Sequence, residues 1–317
     1  GAFFSDKSRS SAEKKSGYYY TNSLIISGFR RSGSTMNRNI PACLTIIALS
    51  GPLSFYASGA EQCPASSQAV NDSNSVIMLG GTSKGAVRQF VVGEFGKDVD
   101  LQKRLLGQFD RCGKLTIADI SYDKNEGNVL LKMEQHIARV TDGWQAEYFY
   151  SVIVQQQSKS VEVSNKQGTI NYKVGKNGNI TSSTDVFTSM GDKGFTETTY
   201  RYDKDFRLLK SVARGTDNLT NGEYHYQWSD KGQMLVTTSA KSKETYTYDK
   251  QNRELRLNSV TNTPVSVITA VDECQSWDDI GNCTLSYSRE TEVTDKSTVK
   301  RNLSAAYRFE YWDEEVK

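Results

Sequence analysis

The chain offers many carboxylates but almost no histidine with which to do chemistry. Its two histidines, His136 and His225, stand far apart in the sequence. The sequence therefore gives little support for a histidine-based catalytic triad or a pair of histidine metal ligands. Neither an HExxH metal motif nor a Walker A loop occurs, and "GGTSKG" (80–85) is interpreted as a flexible linker. Adjacent acids could supply the carboxylate pair of a glycan hydrolase, because that pair is defined by distance in space. They are Asp272-Glu273, Asp278-Asp279 and Glu314-Glu315. The simpler interpretation is that these acids lie in turns and are exposed to solvent. We therefore predict no catalytic residue, no metal and no cofactor.

The cysteines indicate an oxidising compartment. Cys43 falls within an apolar N-terminal segment, and the other four are Cys63, Cys112, Cys274 and Cys283. Four cysteines allow three pairings. Cys274 and Cys283 are close enough in sequence to bridge one hairpin, which leaves Cys63 and Cys112 for a second bond. A zinc site is the alternative, but the sequence has no CxxC pair and neither histidine lies near a cysteine.

Tyrosine followed by aspartate is the most repeated chemical feature. The stretches "TYRYDKDFRLL" (199–209) and "TYTYDKQNREL" (245–255) are nearly alike. Tyr-Asp there could be a catalytic pair, a ligand platform or a repeated structural unit. Aromatic residues alternate with polar ones, so their rings share one face of a strand. The candidate ligand-stacking residues on that face are Tyr200, Tyr202, Tyr226, Trp228, Tyr246 and Tyr248.

Short strands joined by tight turns must position these rings. Turn signals that combine Asp, Asn, Lys and Gly recur along the chain, as in "YDKNEGN" (122–128), "GKNGN" (175–179) and "SDKG" (229–232). Between them lie runs of about 7–12 residues rich in β-branched and aromatic types, with the alternation that is typical of strands. We therefore predict an all-β fold, an antiparallel meander of repeated hairpins that forms one long twisted or curled sheet. A brief helix is considered near 99–106.

The turns align on their aromatic residues. Units begin at Phe109-Asp110, Tyr122-Asp123, Tyr202-Asp203, Tyr248-Asp249 and Trp277-Asp278. This pattern resembles the YD repeat of the Rhs/YD-repeat family, best over 170–290, although Trp228 is followed by Ser229 where the family has Asp. The resemblance implies a secreted or surface-exposed protein whose hairpins form a spiralling β-sheet, with no catalytic residue attached. Locally, we expect the Asp to accept backbone N–H groups and a Gly or Asn to take the left-handed position.

The first sixty residues are not expected to join this sheet. Met36 is the first methionine. A short basic start, an apolar run and Ser58-Gly59-Ala60 follow it, which is the pattern of a signal peptide cut before Glu61. The predicted divisions are 1–35, an upstream extension that is not translated; 36–60, the signal peptide; 61–83, a flexible lead-in; and 84–317, the YD-repeat-like β domain.

Removing the N-terminal segment changes the charge of the chain. Residues 1–60 carry seven of the 39 basic residues and two of the 37 acidic ones, so residues 61–317 keep 32 and 35, a net charge near −3. Without net positive charge in residues 61–317, the sequence gives no support for a nucleic-acid partner.

Two observations disfavour a membrane protein. The apolar run of the signal segment is too short and broken for a stable membrane span. Strands that carry Arg201, Glu223 and Arg308 are too highly charged for the lipid face of an outer-membrane barrel.

These observations lead to three hypotheses for function. We predict a non-enzymatic exported scaffold, in the bacterial periplasm or outside the cell, that contacts an unknown protein or polysaccharide partner of the cell envelope. The alternative is a carbohydrate-binding module that uses an exposed aromatic face, and the third is a glycan-acting hydrolase. The accessibility of Trp228 and Tyr248 separates the first two hypotheses, because only a ligand platform needs open rings.

Overall fold

The computed structural model describes residues 62–313, which form one helix followed by sixteen antiparallel strands. The helix, α1, spans Ser67–Leu79. The strands are β1 (Val87–Gly96), β2 (Asp100–Phe109), β3 (Leu115–Glu126), β4 (Val129–Val140), β5 (Gly143–Gln156), β6 (Lys159–Val174), β7 (Ile180–Ser189), β8 (Asp192–Tyr202), β9 (Leu208–Gly215), β10 (Gly222–Trp228), β11 (Met234–Ser239), β12 (Ser242–Tyr248), β13 (Glu254–Asn262), β14 (Ser266–Trp277), β15 (Cys283–Thr294) and β16 (Thr298–Tyr311). The predicted extension, signal peptide and cleavage site lie outside the described residues.

The sheet closes into a barrel. Each strand pairs with its neighbours in chain order, and β1 also pairs with β16, where Phe90 lies opposite Phe309 and Val92 opposite Tyr307. The expected all-β class is correct, but the long twisted or curled sheet is wrong, and so is the spiralling sheet implied by the resemblance to YD-repeat proteins. Closure satisfies the backbone N–H and C=O groups that two open edge strands would expose. The sequence period of two cannot reveal closure, because apolar and polar residues alternate in the same way in strands of open and of closed sheets.

The barrel wall has two unlike parts. The buried hydrophobic cluster inside the barrel is built by α1, β1–β7 and β16, and β8–β15 add no buried residue to it. We call β16 with β1–β7 the core wall and β8–β15 the polar wall. At the centre of the core wall, the ring of Phe90 lies 5.8 Å from those of Phe109 and Phe309. The inward side chains of the polar wall include many tyrosines, serines and threonines, and its buried apolar residues, among them Leu208, Met234 and Leu257, stand outside the main cluster.

Turns of one kind gather at one end of the barrel, which we call the capped end. They occupy residues 110–114, 203–207, 229–233, 249–253 and 278–282, each between an even-numbered strand and the next. Asp203 Oδ1 accepts the backbone N–H groups of Asp205 and Arg207 at 2.8 and 2.9 Å. Ser229 Oγ accepts the equivalent groups in its own turn at 3.3 and 3.1 Å. The predicted Asx-turn is therefore present, and serine fills the aspartate role in one unit.

The left-handed position of these turns is not always glycine. Gly113, Gly232 and Gly281 have φ values of 82°, 76° and 95°, whereas Phe206 and Asn252 adopt 63° and 59° in their units. A bulky residue such as phenylalanine rarely takes a positive φ. The repeated hydrogen bonds of the turn must therefore hold Phe206 in place.

Helix α1 covers the capped end, where a flexible lead-in was expected. Its buried polar residues bond the turns: Ser73 Oγ donates to Phe206 O and accepts from Leu208 N, and Asn74 Nδ2 donates to Gly178 O. The disulfide Cys63–Cys112 ties the chain before α1 to the turn at 110–114. Cys274–Cys283 joins β14 to β15. Both bonds follow the expected pairing.

Candidate functional site

The six predicted ligand-stacking residues all point into the barrel and are half-buried. Tyr202, Trp228 and Tyr248 end their strands at the capped end. Each donates a hydrogen bond to the carbonyl of the residue that follows the preceding turn. The acceptors are Ile180 O for Tyr202, Leu208 O for Trp228 at 2.7 Å and Met234 O for Tyr248 at 2.6 Å. Trp277 and Trp144 repeat the contact with Glu254 O and Leu115 O, both at 2.9 Å. The repeated aromatic therefore anchors one hairpin to the previous one.

The remaining three rings lie one step deeper. The hydroxyl groups of Tyr200 and Tyr226 lie 2.9 and 3.3 Å from Ser183 Oγ and Ser211 Oγ, and Tyr246 donates to Glu244 Oε2 at 3.3 Å. Burial raises the pKa of Tyr200 to about 12, so its phenol stays protonated at neutral pH. The hydroxyl groups of these three tyrosines therefore form their hydrogen bonds inside the barrel and not on its outer surface. Stacking of a ligand on the same rings from inside the barrel stays a prediction.

Carboxylates do converge inside the barrel, around a small cavity of about 140 Å³. Glu94, Asp272 and Glu290 line it together with Leu257 and Ile268. Burial raises the pKa of Glu94 to about 7, although nearby Lys103 opposes the change. Cavities that hold small ligands usually measure about 300–1,000 Å³. Within residues 62–313, no three Asp, Glu, His or Cys side chains are placed to hold a metal ion.

A buried guanidinium organises the acids beside this cavity. Arg301 is 2 % exposed, and its Nη2 donates to Glu126 Oε1 and Glu292 Oε2, both at 2.7 Å. Its Nη1 lies 3.2 Å from Glu290 Oε2. Hydrogen bonding to Arg301 lowers the pKa of Glu126. Since Glu126 belongs to β3 and Arg301 to β16, the network bridges strands that are not neighbours, which indicates a structural role.

One letter match to the serine-hydrolase pattern GxSxG occurs at 81–85. That pattern marks a nucleophile only where it turns from a strand into a helix and meets a histidine. Here the stretch runs from α1 to β1. His136 and His225 both lie on the outer surface, where their side chains are 48 % and 52 % exposed. The stretch is therefore a connection between α1 and β1, and Lys84 in it is hydrogen-bonded to Asn282 and Asn252. The flexibility expected from the sequence stays a prediction.

A large concavity lies on the outer face of the core wall. It is an open groove of 1270 Å³ that crosses β1 to β8 at right angles to the strands, and we call it the wall groove. Two cross-strand rows of outward side chains form its floor. The first row is Val91, Leu106, Asp119, His136, Glu147, Thr169 and Val186. The second row is Arg104, Ser121, Glu134, Phe149, Gln167, Thr188 and Lys193.

The floor of the wall groove mixes apolar, uncharged polar and oppositely charged groups. Val186 is 58 % exposed and Val91 40 % exposed, so apolar surface faces water there. His136 Nδ1 lies 2.6 Å from Asp119 Oδ1 at the centre of the groove. The acids Asp119, Glu134 and Glu147 nearly balance the bases Arg104 and Lys193. Such a floor can offer hydrogen-bond donors and acceptors without a strong net field.

Sequence reasoning did not find the wall groove. Phe149, Gln167 and Val186 belong to three strands and carry no shared motif. They meet because the register of β5, β6 and β7 places them side by side on the outer face. No local pattern in the sequence encodes that register.

Comparisons with known proteins add little to this description. No family model matches the sequence, so the resemblance to YD-repeat proteins has no support there either, and no curated protein matches it. Within residues 62–313, no helix is long and apolar enough to cross a membrane. Among solved structures, the crystal structure of a porin-like protein from Bacteroides uniformis ATCC 8492 aligns with 72% of this chain and 98% of its own, at 10% identity and a TM-score of 0.38. That score is too low for the similarity to bear on fold or function.

Proposed function

We propose that this protein is an exported, non-catalytic β-barrel that works in water and binds an elongated ligand in the wall groove. The observation that carries the proposal is the polarity of the barrel's two faces. The inside of the core wall is a close-packed hydrophobic cluster, whereas the outward faces of the strands carry charges. A barrel that spans a membrane has the opposite polarity, with an apolar outer band about 25 Å tall.

The outward charges stand near the middle of strands on both walls. Arg104, Glu134 and Glu147 are exposed on the core wall, and Arg256 and Arg289 on the polar wall. Lysine or arginine costs about 2–4 kcal/mol at the midplane of a bilayer, and acids cost less. The exposed apolar residues do not form a continuous band between these charges. A barrel with these side chains is more stable in water than in lipid.

Export is supported by the two disulfide bonds. Cys63–Cys112 and Cys274–Cys283 account for every cysteine in the described part of the chain. Disulfides persist in the periplasm and outside the cell, and are rare in the cytosol. They agree with the signal peptide predicted for residues 36–60.

A binding role is favoured over catalysis because the acids inside the barrel interact with buried basic residues. Glu126, Glu290 and Glu292 are held by Arg301, and Glu94 interacts with Lys103. The cavity beside them is half the size of the smallest usual ligand sites. The wall groove is about nine times larger and open to water, and the side-chain hydrogen bond of His136 on its floor is to Asp119 and not to a serine or threonine hydroxyl.

Fractionation of a Gram-negative host that expresses the full chain tests the compartment. We expect release by osmotic shock together with a resident periplasmic marker, and a non-reducing mass that shows two disulfides. Sedimentation with an outer-membrane barrel marker after carbonate washing would overturn the proposal, because an integral barrel resists that wash.

A further inference from the structure

We infer that the wall groove binds a linear, uncharged glycan that lies across the strands, with Phe149 beneath one sugar ring. This inference rests on the proposed function and names its ligand class. Three features favour such a ligand: the spacing of the groove floor, its charge balance and the lack of a free sheet edge in the described barrel.

The spacing of the floor suits a chain of sugars. Neighbouring strands of a sheet lie about 4.8 Å apart, so each row of the groove presents one side chain per strand at that interval, seven side chains over roughly 29 Å. This interval is close to the length of one pyranose unit in an extended chain. Successive strands can therefore meet successive sugars. An extended peptide has a rise of about 3.3 Å per residue, and its side chains drift out of step with the rows.

The closed sheet also disfavours a peptide. Extended peptides usually bind by adding a strand to a sheet edge, where main-chain hydrogen bonds supply affinity. In the described barrel β1 pairs with both β2 and β16, so its strands offer no such edge. A ligand in the wall groove must be held by side chains alone.

The side chains of the floor match a polyhydroxylated, uncharged polymer. Gln167, Ser121 and Thr169 can each donate and accept hydrogen bonds, as sugar hydroxyls require. Glu134 and Arg104 add a strong acceptor and a strong donor in the same row. The near balance of charge gives no attraction for a polyanion such as a nucleic acid or a uronic-acid polymer, which needs a basic surface.

Phe149 supplies the apolar contact that a sugar ring needs. It lies between Glu134 on β4 and Gln167 on β6 in the second row. An aromatic face beside paired polar groups can pack on the C–H face of a pyranose while its hydroxyls bond the neighbours. Phe149 is the sole aromatic side chain of the described residues that points outward in either row of the floor.

Isothermal titration with cellohexaose, chitohexaose and maltohexaose tests the inference on the full oxidised protein. We expect at least one neutral hexasaccharide to bind, and Phe149→Ala and Gln167→Ala each to weaken it at least tenfold. Tyr287→Ala is the matched control, since Tyr287 is an exposed aromatic on β15, away from the groove. It should leave binding unchanged, and circular dichroism should show all variants folded.

Two further probes separate the outcomes. If hexagalacturonate or a ten-residue Ser/Thr/Gln peptide binds in a manner that Phe149→Ala abolishes, the glycan inference is wrong and the proposed binding role stands. If no probe binds at millimolar concentration, or if Tyr287→Ala weakens binding as much as Phe149→Ala, the inference is overturned. The compartment is tested separately by fractionation.

Discussion

The core wall and the polar wall of the barrel are stabilised by different kinds of contact. Strands of the core wall have ten to sixteen residues and bury an apolar cluster. Strands β9–β13 of the polar wall have only six to nine residues. Their inward rings are half-buried and anchored through hydrogen bonds to neighbouring hairpins. The units at Tyr202-Asp203, Tyr248-Asp249 and Trp277-Asp278 therefore lie in the part of the barrel with the least hydrophobic burial, where turns and aromatic anchors stabilise the hairpins.

The same comparison separates motif from function. The polar wall carries three of the five units, and each of these has a structural explanation in its turn or its anchor, whereas Tyr122-Asp123 lies within strand β3 of the core wall and forms no such turn. The wall groove belongs almost entirely to the core wall and involves no repeat. A repeated motif in a β-barrel thus indicates how hairpins are fixed, and it need not lie near the binding surface.

Truncation of one ring on each wall should show the largest difference. Phe90 on the core wall is 0 % exposed, and Gly107 leaves only backbone beneath the ring, where an added Cβ would lie 2.2 Å from it. Phe90→Ala should therefore leave a cavity and cost about 3–5 kcal/mol. Tyr226→Ala on the polar wall should cost about 1–2 kcal/mol, because its ring is only half-buried. Urea unfolding of both oxidised variants measures the difference; equal losses would show that the two walls are stabilised alike.

The acids between the walls should make stability depend on pH. Glu94 extends from β1 into the cavity, where Lys103 on β2, Asp272 on β14 and Glu290 on β15 act on it. Its pKa is raised to about 7 in the fold from 4.5. The folded protein then holds one more proton than the unfolded chain between those values, so stability falls as pH rises through this window.

Glu94→Gln should remove that dependence. We expect the loss of stability between pH 4 and pH 8 to be smaller by about 2–3 kcal/mol than in the parent protein, since each pKa unit corresponds to about 1.4 kcal/mol. Glu134→Gln is the control, because Glu134 is 51% exposed on the outer face and should leave the pH profile unchanged. Identical profiles for the parent and Glu94→Gln would show that the carboxyl is not buried in solution.

Local features of this fold could be predicted from sequence, and long-range ones could not. The turns were predictable because Asp203 and Asp249 act on backbone groups within four residues. Closure of the barrel could not be predicted, because β1 and β16 are the first and last strands in the sequence and no turn connects them. Two local errors have a physical cause as well. The helix suggested near 99–106 is strand β2, where the buried Lys103 hides the alternation. Helix α1 was missed because its buried face includes Ser73 and Asn74.

The smallest effect concerns the turns that stabilise the polar wall. Asp203→Ala removes the acceptor for the N–H groups of Asp205 and Arg207, and should cost about 1 kcal/mol. Asp203→Ser should recover most of that loss, because Ser229 already fills the same role two strands away. Urea unfolding resolves the series, with Asp205→Ala as the control in the same exposed turn.

The order of these three variants distinguishes a specific acceptor from general turn polarity. If the hydrogen bonds matter, Asp203→Ala is the least stable, while Asp203→Ser and Asp205→Ala stay near the parent. If Asp205→Ala falls as far as Asp203→Ala, the aspartate acts only through its charge and the Asx-turn contributes nothing of its own. In that case Phe206 would have to hold its positive φ without the bonds to Asp203, and the polar wall would depend on its aromatic anchors alone.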